Sequence, residues 1–209
     1  MRDERPRLRY IAGSMSIRSV CVFCGSRPGH APQYRTAART LGQLIARNGQ
    51  RLVYGGGSIG LMTVVADAVL ADGGEVFGLI PDFLDRIEVG HRSLTEFKVV
   101  GSMHERKRMM FEASDAFVTI PGGIGTLDET IEIITWRQLG LHDKPIIILD
   151  QDNYWRPLLD LLDHTVEHGF AGDSIRRLFH VVKDVRDVLP AIDAAAKEAT
   201  GKAAPTKVL

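Results

Sequence analysis

Short runs of β-branched and other apolar residues alternate with amphipathic stretches along most of this chain. Such runs predict buried strands, and apolar residues spaced three and four apart predict helices. The predicted strands are 17–24, 51–54, 75–80, 97–100, 116–120, 145–149 and 179–182; the predicted helices are 33–47, 61–71, 103–114, 126–139, 154–167 and 185–197. This alternation favours a parallel sheet covered by helices. The predicted fold is α/β, a single doubly wound, Rossmann-like domain whose mostly parallel sheet has about seven strands.

The length of 209 residues suits one domain with a sizeable core. Residues 1–15 are polar and rich in arginine, so we expect a disordered extension there, a domain over 16–198 and a flexible tail over 199–209. Lys plus Arg and Asp plus Glu both number 26, and this balance argues against a nucleic-acid or anionic-membrane partner. No apolar run has the length of a membrane span.

Cys21 and Cys24 have the spacing of a redox or metal motif, but we interpret both as buried strand residues. Residues three apart in a strand point to opposite faces of the sheet, and no second cysteine pair completes a zinc site. We therefore expect no metal. Two cysteines in the whole chain suit a reducing, cytoplasmic location.

Glycine-rich turns follow three of the predicted strands, at Cys24-Gly25-Ser26, at YGGGSIG (54–60) and at PGGIGTLDE (121–129). In a doubly wound sheet the ligand crevice lies outside the carboxyl ends of the strands. We expect all three turns, including Ser26, Gly56 and Gly57, to line one crevice. The spacing of Gly55, Gly57 and Gly60 also fits a dinucleotide fingerprint, but that fingerprint normally follows the first strand and here follows the second.

The segment 121–129 combines a phosphate loop with a carboxylate. Its glycines allow close approach of the backbone, and the helix that follows presents free N–H groups to an anion. Thr126 can cap that helix and offer a hydroxyl. Glu129 would repel a phosphate unless it has a chemical task. The combination indicates nucleotide chemistry, with the phosphate held by Gly122, Gly123, Ile124, Gly125, Thr126, Leu127 and Asp128.

Two helices flanking the fifth strand carry further signals. In MHERK (103–107), Arg106 and Lys107 lie on the same helical face as Met103 and Met110, and cations on such a stripe should reach a charged ligand or a carboxylate. Alternatively, the aliphatic part of each side chain packs along the protein surface and its charge lies in solvent. For Lys107 the two interpretations are evenly balanced.

The helix after the phosphate loop has two apolar faces. Leu127, Ile131 and Ile134 form one, which we expect to pack on the sheet. Glu129, Ile133 and Trp136 form the other, which we expect to meet a partner helix or another subunit.

Three segments, YGGGSIGLM (54–62), MHERK (103–107) and PGGIGTLDE (121–129), occur in this order in the Lonely guy family, which the chain resembles over about 16–182. The segment ITWRQLG (134–140) also resembles a segment of this family. The resemblance implies a cytokinin riboside 5′-monophosphate phosphoribohydrolase, which cleaves the N-glycosidic bond of an N6-modified AMP to give free base and ribose 5-phosphate. One departure is Asp128, where many relatives have Glu.

The resemblance also implies roles for residues. Arg106 and Glu129 would be the catalytic pair, and Glu88, Lys107, Thr135 and the 123–129 loop would contact substrate. It further implies a homodimer with sites near the subunit boundary, and no cofactor. A non-catalytic nucleotide or cofactor carrier with the same fold is the alternative. A pyridoxal phosphate-dependent lysine decarboxylase is disfavoured, because Lys107 is the only lysine expected near the site.

Overall fold

A computed structural model of the chain describes residues 16–201. Its seven strands are β1 (Ser19–Phe23), β2 (Arg51–Tyr54), β3 (Val76–Pro81), β4 (Glu96–Val100), β5 (Ala116–Thr119), β6 (Ile146–Leu149) and β7 (His180–Val182). Its helices are α1 (Pro32–Arg47), α2 (Gly60–Ala71), α3 (Asp82–Leu84), α4 (Met103–Glu112), α5 (Ile124–Gln138), α6 (Arg156–Glu167) and α7 (Val188–Gly201). Residues 1–15, expected to be disordered, and 202–209 of the expected tail lie outside the described part.

All seven strands pair in parallel in one sheet of order β4-β3-β2-β1-β5-β6-β7, which confirms the predicted α/β fold. The order reverses at β1, which pairs with β2 on one side and with β5 on the other. In such a sheet the loops after the central strands diverge to opposite faces and leave a crevice between them. Here the crevice lies above the carboxyl ends of β1 and β5.

Each face of the sheet has its own apolar core because side chains alternate along the strands. Val20 and Val22 of β1 face the side covered by α1, α2 and α7. Cys21 and Phe23 face the side covered by α4, α5 and α6. Cys24 belongs to the first core and Cys21 to the second; both are free buried thiols, as the sequence interpretation required.

The connection between β3 and β4 differs from the prediction. The sequence predicted no element there, and the structure has α3 followed by a π-helical turn, Asp85–Val89. Asp85 stabilises this turn by accepting a hydrogen bond from Gly90 N at 3.0 Å and by pairing with Arg92.

Candidate functional site

The three glycine-rich loops meet at Gly25, which confirms that they share one edge of the sheet. Gly25 N donates to the carbonyl oxygen of Pro121 at 3.1 Å, and Gly25 O accepts from Leu61 N at 2.9 Å. Leu61 lies in the first turn of α2, so these two hydrogen bonds join the loops that follow β1, β2 and β5 into one surface.

The loop after β5 leads into α5 with unpaired backbone donors. Leu127 N makes the first helical hydrogen bond, to Gly123 O at 3.0 Å, so the N–H groups of Ile124, Gly125 and Thr126 precede the helical ladder. A Cβ at Gly123 or Gly125 would meet no protein atom within 4 Å. Packing within the protein therefore does not demand glycine there, whereas a ligand lying against this backbone would.

Thr126 does not cap α5, contrary to the expectation. Gly123 occupies the N-cap position, with no side-chain hydrogen bond to the helix, and Thr126 lies inside the first turn. The Thr126 side chain packs beneath the loop, because a Cβ on Gly122 would lie 2.1 Å from Thr126 Oγ1. Gly122 is therefore required by the protein itself.

Arg106 and Glu129 form a buried ion pair below these loops. Arg106 Nη2 lies 3.2 Å from Glu129 Oε1, and the side chains are 10% and 9% exposed. The guanidinium fits there because residue 55 is glycine: a Cβ at Gly55 would lie 1.9 Å from Arg106 Nη2. Arg106 Nε is buried and has no hydrogen-bond partner among residues 16–201. The structure thus brings together the two residues expected to be catalytic and leaves a donor unused.

The environment of Glu129 favours its protonated form. Burial raises the pKa of the Glu129 carboxyl above its ordinary value, and Arg106 lowers the pKa by a smaller amount. The neighbouring carboxylate of Asp128 adds a further upward shift. A carboxyl with a raised pKa accepts a proton more readily than an ordinary glutamate, which suits acid–base work.

Lys107 is held by carboxylates and is not free to receive an anion. Its Nζ lies 3.1 Å from both Asp128 Oδ2 and Glu132 Oε1, linking α4 to α5. Partial burial lowers the pKa of Lys107, but the hydrogen bonds to Glu132 and Asp128 outweigh it, so the net shift is upward. The structure therefore supports the interpretation in which Lys107 reaches a carboxylate, and not the one in which its charge lies in solvent.

The assignment of the two α5 faces was right in part, because the second face meets a partner helix: Glu129 pairs with Arg106, and Trp136 contacts Phe111, both on α4. Glu129 and Ile133 turn toward the sheet and are buried, while Ile131 is 37% exposed. Ile134 packs in the core as expected, and Leu127 is half-buried against it. Because apolar residues occur on both faces, the pattern alone did not distinguish them.

The other predicted site residues are dispersed. Gly56 has a φ of +73° and packs against the backbone of β3, and Gly57 forms a bridge with Gly90. Thr135 is exposed and donates to Ile131 O, about 13 Å along α5 from Thr126. The side chain of Glu88 is outside the described part of the structure.

A cavity of about 450 Å³ adjoins the phosphate loop on the α1 side and includes residues that sequence analysis missed. Besides Ser26 and glycines of the loops, it is lined by Arg27, Tyr34 and Tyr154. Their sequence signal is weak: Arg27 directly follows a glycine-rich turn, but the tyrosines lie in helix α1 and after β6. The aromatic rings of the tyrosines contact edge to face, with centroids 5.5 Å apart.

Within residues 16–201 no group of three His, Cys, Asp or Glu side chains could hold a metal ion. None of the helices in that range is both long and apolar enough to cross a membrane.

Fold and site together define an α/β, Rossmann-like protein with a buried Arg–Glu pair at the switch point of the sheet. A family model described as "possible lysine decarboxylase" matches residues 62–192. The chain is 45% identical over 176 residues to the cytokinin riboside 5′-monophosphate phosphoribohydrolase of Rhodococcoides fascians, covering 84% of this chain and 89% of that protein. The chain belongs to this family, the Lonely guy family, as the sequence motifs indicated.

A second relative agrees with this family, and a solved structure agrees with the fold. A cytokinin riboside 5′-monophosphate phosphoribohydrolase of Arabidopsis thaliana is 43% identical over 182 residues, or 83% of this chain and 85% of that protein. Among solved structures, the Moco carrier protein of Chlamydomonas reinhardtii superimposes with a TM-score of 0.65 over 87% of this chain and 98% of that one. Its sequence identity is 21%, so this likeness concerns the fold alone.

Proposed function

We propose that the protein is a nucleoside 5′-monophosphate phosphoribohydrolase that releases the free base and ribose 5-phosphate from AMP or an N6-modified AMP. The observation that carries this proposal is the buried pair of Arg106 and Glu129 beneath a loop of unpaired backbone donors. A protein that only carried a nucleotide would need the glycine loops but would have no use for this pair. The homologous phosphoribohydrolases support the same reaction.

The loop before α5 binds the phosphate, and the Arg106–Glu129 pair serves the cleavage of the bond. The N–H groups at the start of α5 and the Thr126 hydroxyl hold the 5′-phosphate. The bond from ribose C1′ to the base nitrogen breaks with its electron pair going to the base, and positive charge develops on the ribose. The Glu129 carboxylate stabilises that charge and accepts a proton from the attacking water, whose oxygen bonds to C1′. The departing base takes up a proton from solvent and Glu129 returns its own proton to solvent, so water and nucleotide give base and sugar phosphate and the carboxylate is regenerated.

In this scheme Arg106 orients both Glu129 and the substrate. Its Nη2 holds Glu129 Oε1, and its Nε is buried without a hydrogen-bond partner among residues 16–201. An Arg donor left without a protein partner in a buried position is costly unless a ligand or water completes it. Arg106 thereby places the carboxylate relative to the ribose.

Replacing Glu129 by Gln tests the reaction. The amide keeps the size of the side chain but cannot accept the proton, so turnover of AMP should fall about 100-fold or more. AMP should still bind. Near-normal turnover in Glu129→Gln would overturn the assignment.

The substrate is identified by incubating the wild-type protein with AMP and with N6-isopentenyl-AMP and separating the products by chromatography. Release of free base from either nucleotide supports the enzyme. Binding of both nucleotides without release would instead support the carrier alternative. The ratio of kcat/KM for the two substrates decides whether the prenyl group is recognised.

The name of the family model raises the question of pyridoxal phosphate chemistry, which the site does not favour. A Schiff base requires an uncharged lysine amine. Lys107 bridges two carboxylates, and the net upward shift of its pKa keeps it protonated. The protein incubated with pyridoxal phosphate should show no absorption band of an internal Schiff base.

A homodimer through the exposed face of α5 completes the proposal. Ile124 and Ile131, two helical turns apart, form an apolar stripe that continues to Leu139 and Leu141, which are 68% and 65% exposed. A second copy packed on this stripe would bury it and would bring the partner's Thr135 toward the site. The two buried free thiols suit a reducing compartment such as the cytoplasm.

Light scattering after size exclusion tests the dimer. Ile131→Asp should convert the dimer to monomer because it places a charge in the apolar stripe. Leu161→Asp is the matched control, since Leu161 is also exposed, at 58%, but lies on α6. A wild-type monomer, or equal effects of both variants, would contradict this interface.

A further inference from the structure

The two cations that the sequence analysis placed at the site, Arg106 and Lys107, are already engaged by the protein. Arg106 pairs with Glu129, and Lys107 pairs with Asp128 and Glu132. When all five groups are ionised, two cations face three carboxylates, so the cluster does not attract an anion. A phosphate monoester carries about −1.5 to −2 charges at pH 7. Its countercharge must come from elsewhere.

Among residues 16–201, Arg27 is the one charged residue that lines the cavity beside the phosphate loop. It is exposed, and no hydrogen bond or ion pair joins its side chain to any residue in the 16–201 range. Its backbone packs closely on the start of α2, since a Cβ on Gly60 would lie 2.5 Å from Arg27 N. The same cavity is lined by Gly122, Gly123 and Ile124, where the unpaired donors of α5 begin.

We propose that Arg27 binds the 5′-phosphate of the nucleotide from the α1 side of the cavity and supplies its principal countercharge. The anion is identified through the proposed reaction, and to that extent the inference rests on the proposed function. A guanidinium can donate two parallel hydrogen bonds to phosphate oxygens while the α5 donors bind the others. Lysine cannot reproduce this geometry.

Calorimetric titration with AMP and with adenosine tests the role of Arg27. The titrations use the Glu129→Gln background, in which turnover of AMP should be slower by about 100-fold or more. Arg27→Ala should weaken AMP binding about 10-fold or more and leave adenosine binding unchanged, and Arg27→Lys should recover part of the loss. Arg39→Ala removes the same charge from an exposed position on α1 that does not line the cavity, and it should change neither ligand.

Steady-state kinetics in the otherwise wild-type protein provide a second readout. Phosphate contacts persist from ground state to transition state, so Arg27→Ala should raise KM for AMP with kcat little changed. AMP affinity within about twofold of the parent, or equal losses for AMP and adenosine, would overturn the proposal. A protein that binds AMP through Arg27 but releases no base would refute the proposed reaction and leave the phosphate contact intact.

Discussion

The Tyr154 hydroxyl donates a hydrogen bond to the Gly122 carbonyl oxygen at 2.5 Å and so joins the turn after β6 to the phosphate loop after β5. The turn is itself anchored by Asp150, a fully buried residue at the end of β6. Asp150 Oδ1 accepts from Trp155 N at 2.7 Å, and its Oδ2 pairs with Lys183. The orientation of the Gly122 peptide is therefore set from a neighbouring strand.

Replacing Tyr154 by Phe should weaken AMP binding several-fold and lower the free energy of unfolding by about 1 kcal/mol. The ring contacts with Tyr34 and Trp155 remain in this variant, so the hydroxyl alone is tested. Calorimetry for binding and denaturant unfolding for stability give the two quantities. Unchanged AMP affinity would show that the loop holds its conformation without Tyr154.

Gly55→Ala should impair catalysis without unfolding the protein. The new Cβ would occupy the position of the Arg106 guanidinium, and a displacement of about 1 Å in a catalytic group can cost about 100-fold in rate. The φ of Gly55 lies outside the left-handed region, so alanine introduces no backbone strain. Circular dichroism and kcat measured on the same sample check both parts; a fully active variant would contradict the role of Arg106.

Gly125→Ala should stabilise the protein and weaken the binding of AMP. No protein atom lies near the added methyl group, so the free energy of unfolding should rise by about 0.4–1 kcal/mol. The methyl group would obstruct a phosphate, and AMP affinity should fall about 10-fold or more. Gly172→Ala is the matched control, because its Cβ would make only an ordinary contact with Ser174, far along the chain from the loop. Equal AMP affinity in both variants would argue against phosphate at this loop.

The pH dependence of kcat/KM should reflect Glu129. Burial raises the pKa of Glu129, so the protonated, inactive form persists to a higher pH than for an ordinary glutamate, and activity should fall as pH drops through that raised value. Asp128→Asn removes a charge that contributes to the upward shift and should move the acid limb to lower pH. Asp160→Asn on α6 should not move it. An acid limb at the ordinary glutamate pKa would contradict the role of burial.

Much of the fold was predictable because each strand is a compact apolar run flanked by turn residues. The glycine loops were predictable as well, since each directly follows a strand, whereas the pairing of Arg106 with Glu129 was implied by the family resemblance. The orientation of α5 was not predictable, because Ile131 and Ile133 offer similar apolar area on different faces. Nor were Arg27, Tyr34 and Tyr154, which reach the cavity from three separate segments and have no shared pattern in the sequence.

The path of the chain between Arg106 and Glu129 has a consequence for folding. β4 lies at one edge of the sheet, and after α4, which bears Arg106, the chain returns across three intervening strands to β5, which precedes Glu129. The pair can meet only when β3, β2 and β1 are correctly ordered between these elements. Non-local contacts of this kind form late. Catalytic activity should therefore return with the slowest refolding phase, after most of the helical structure has been regained.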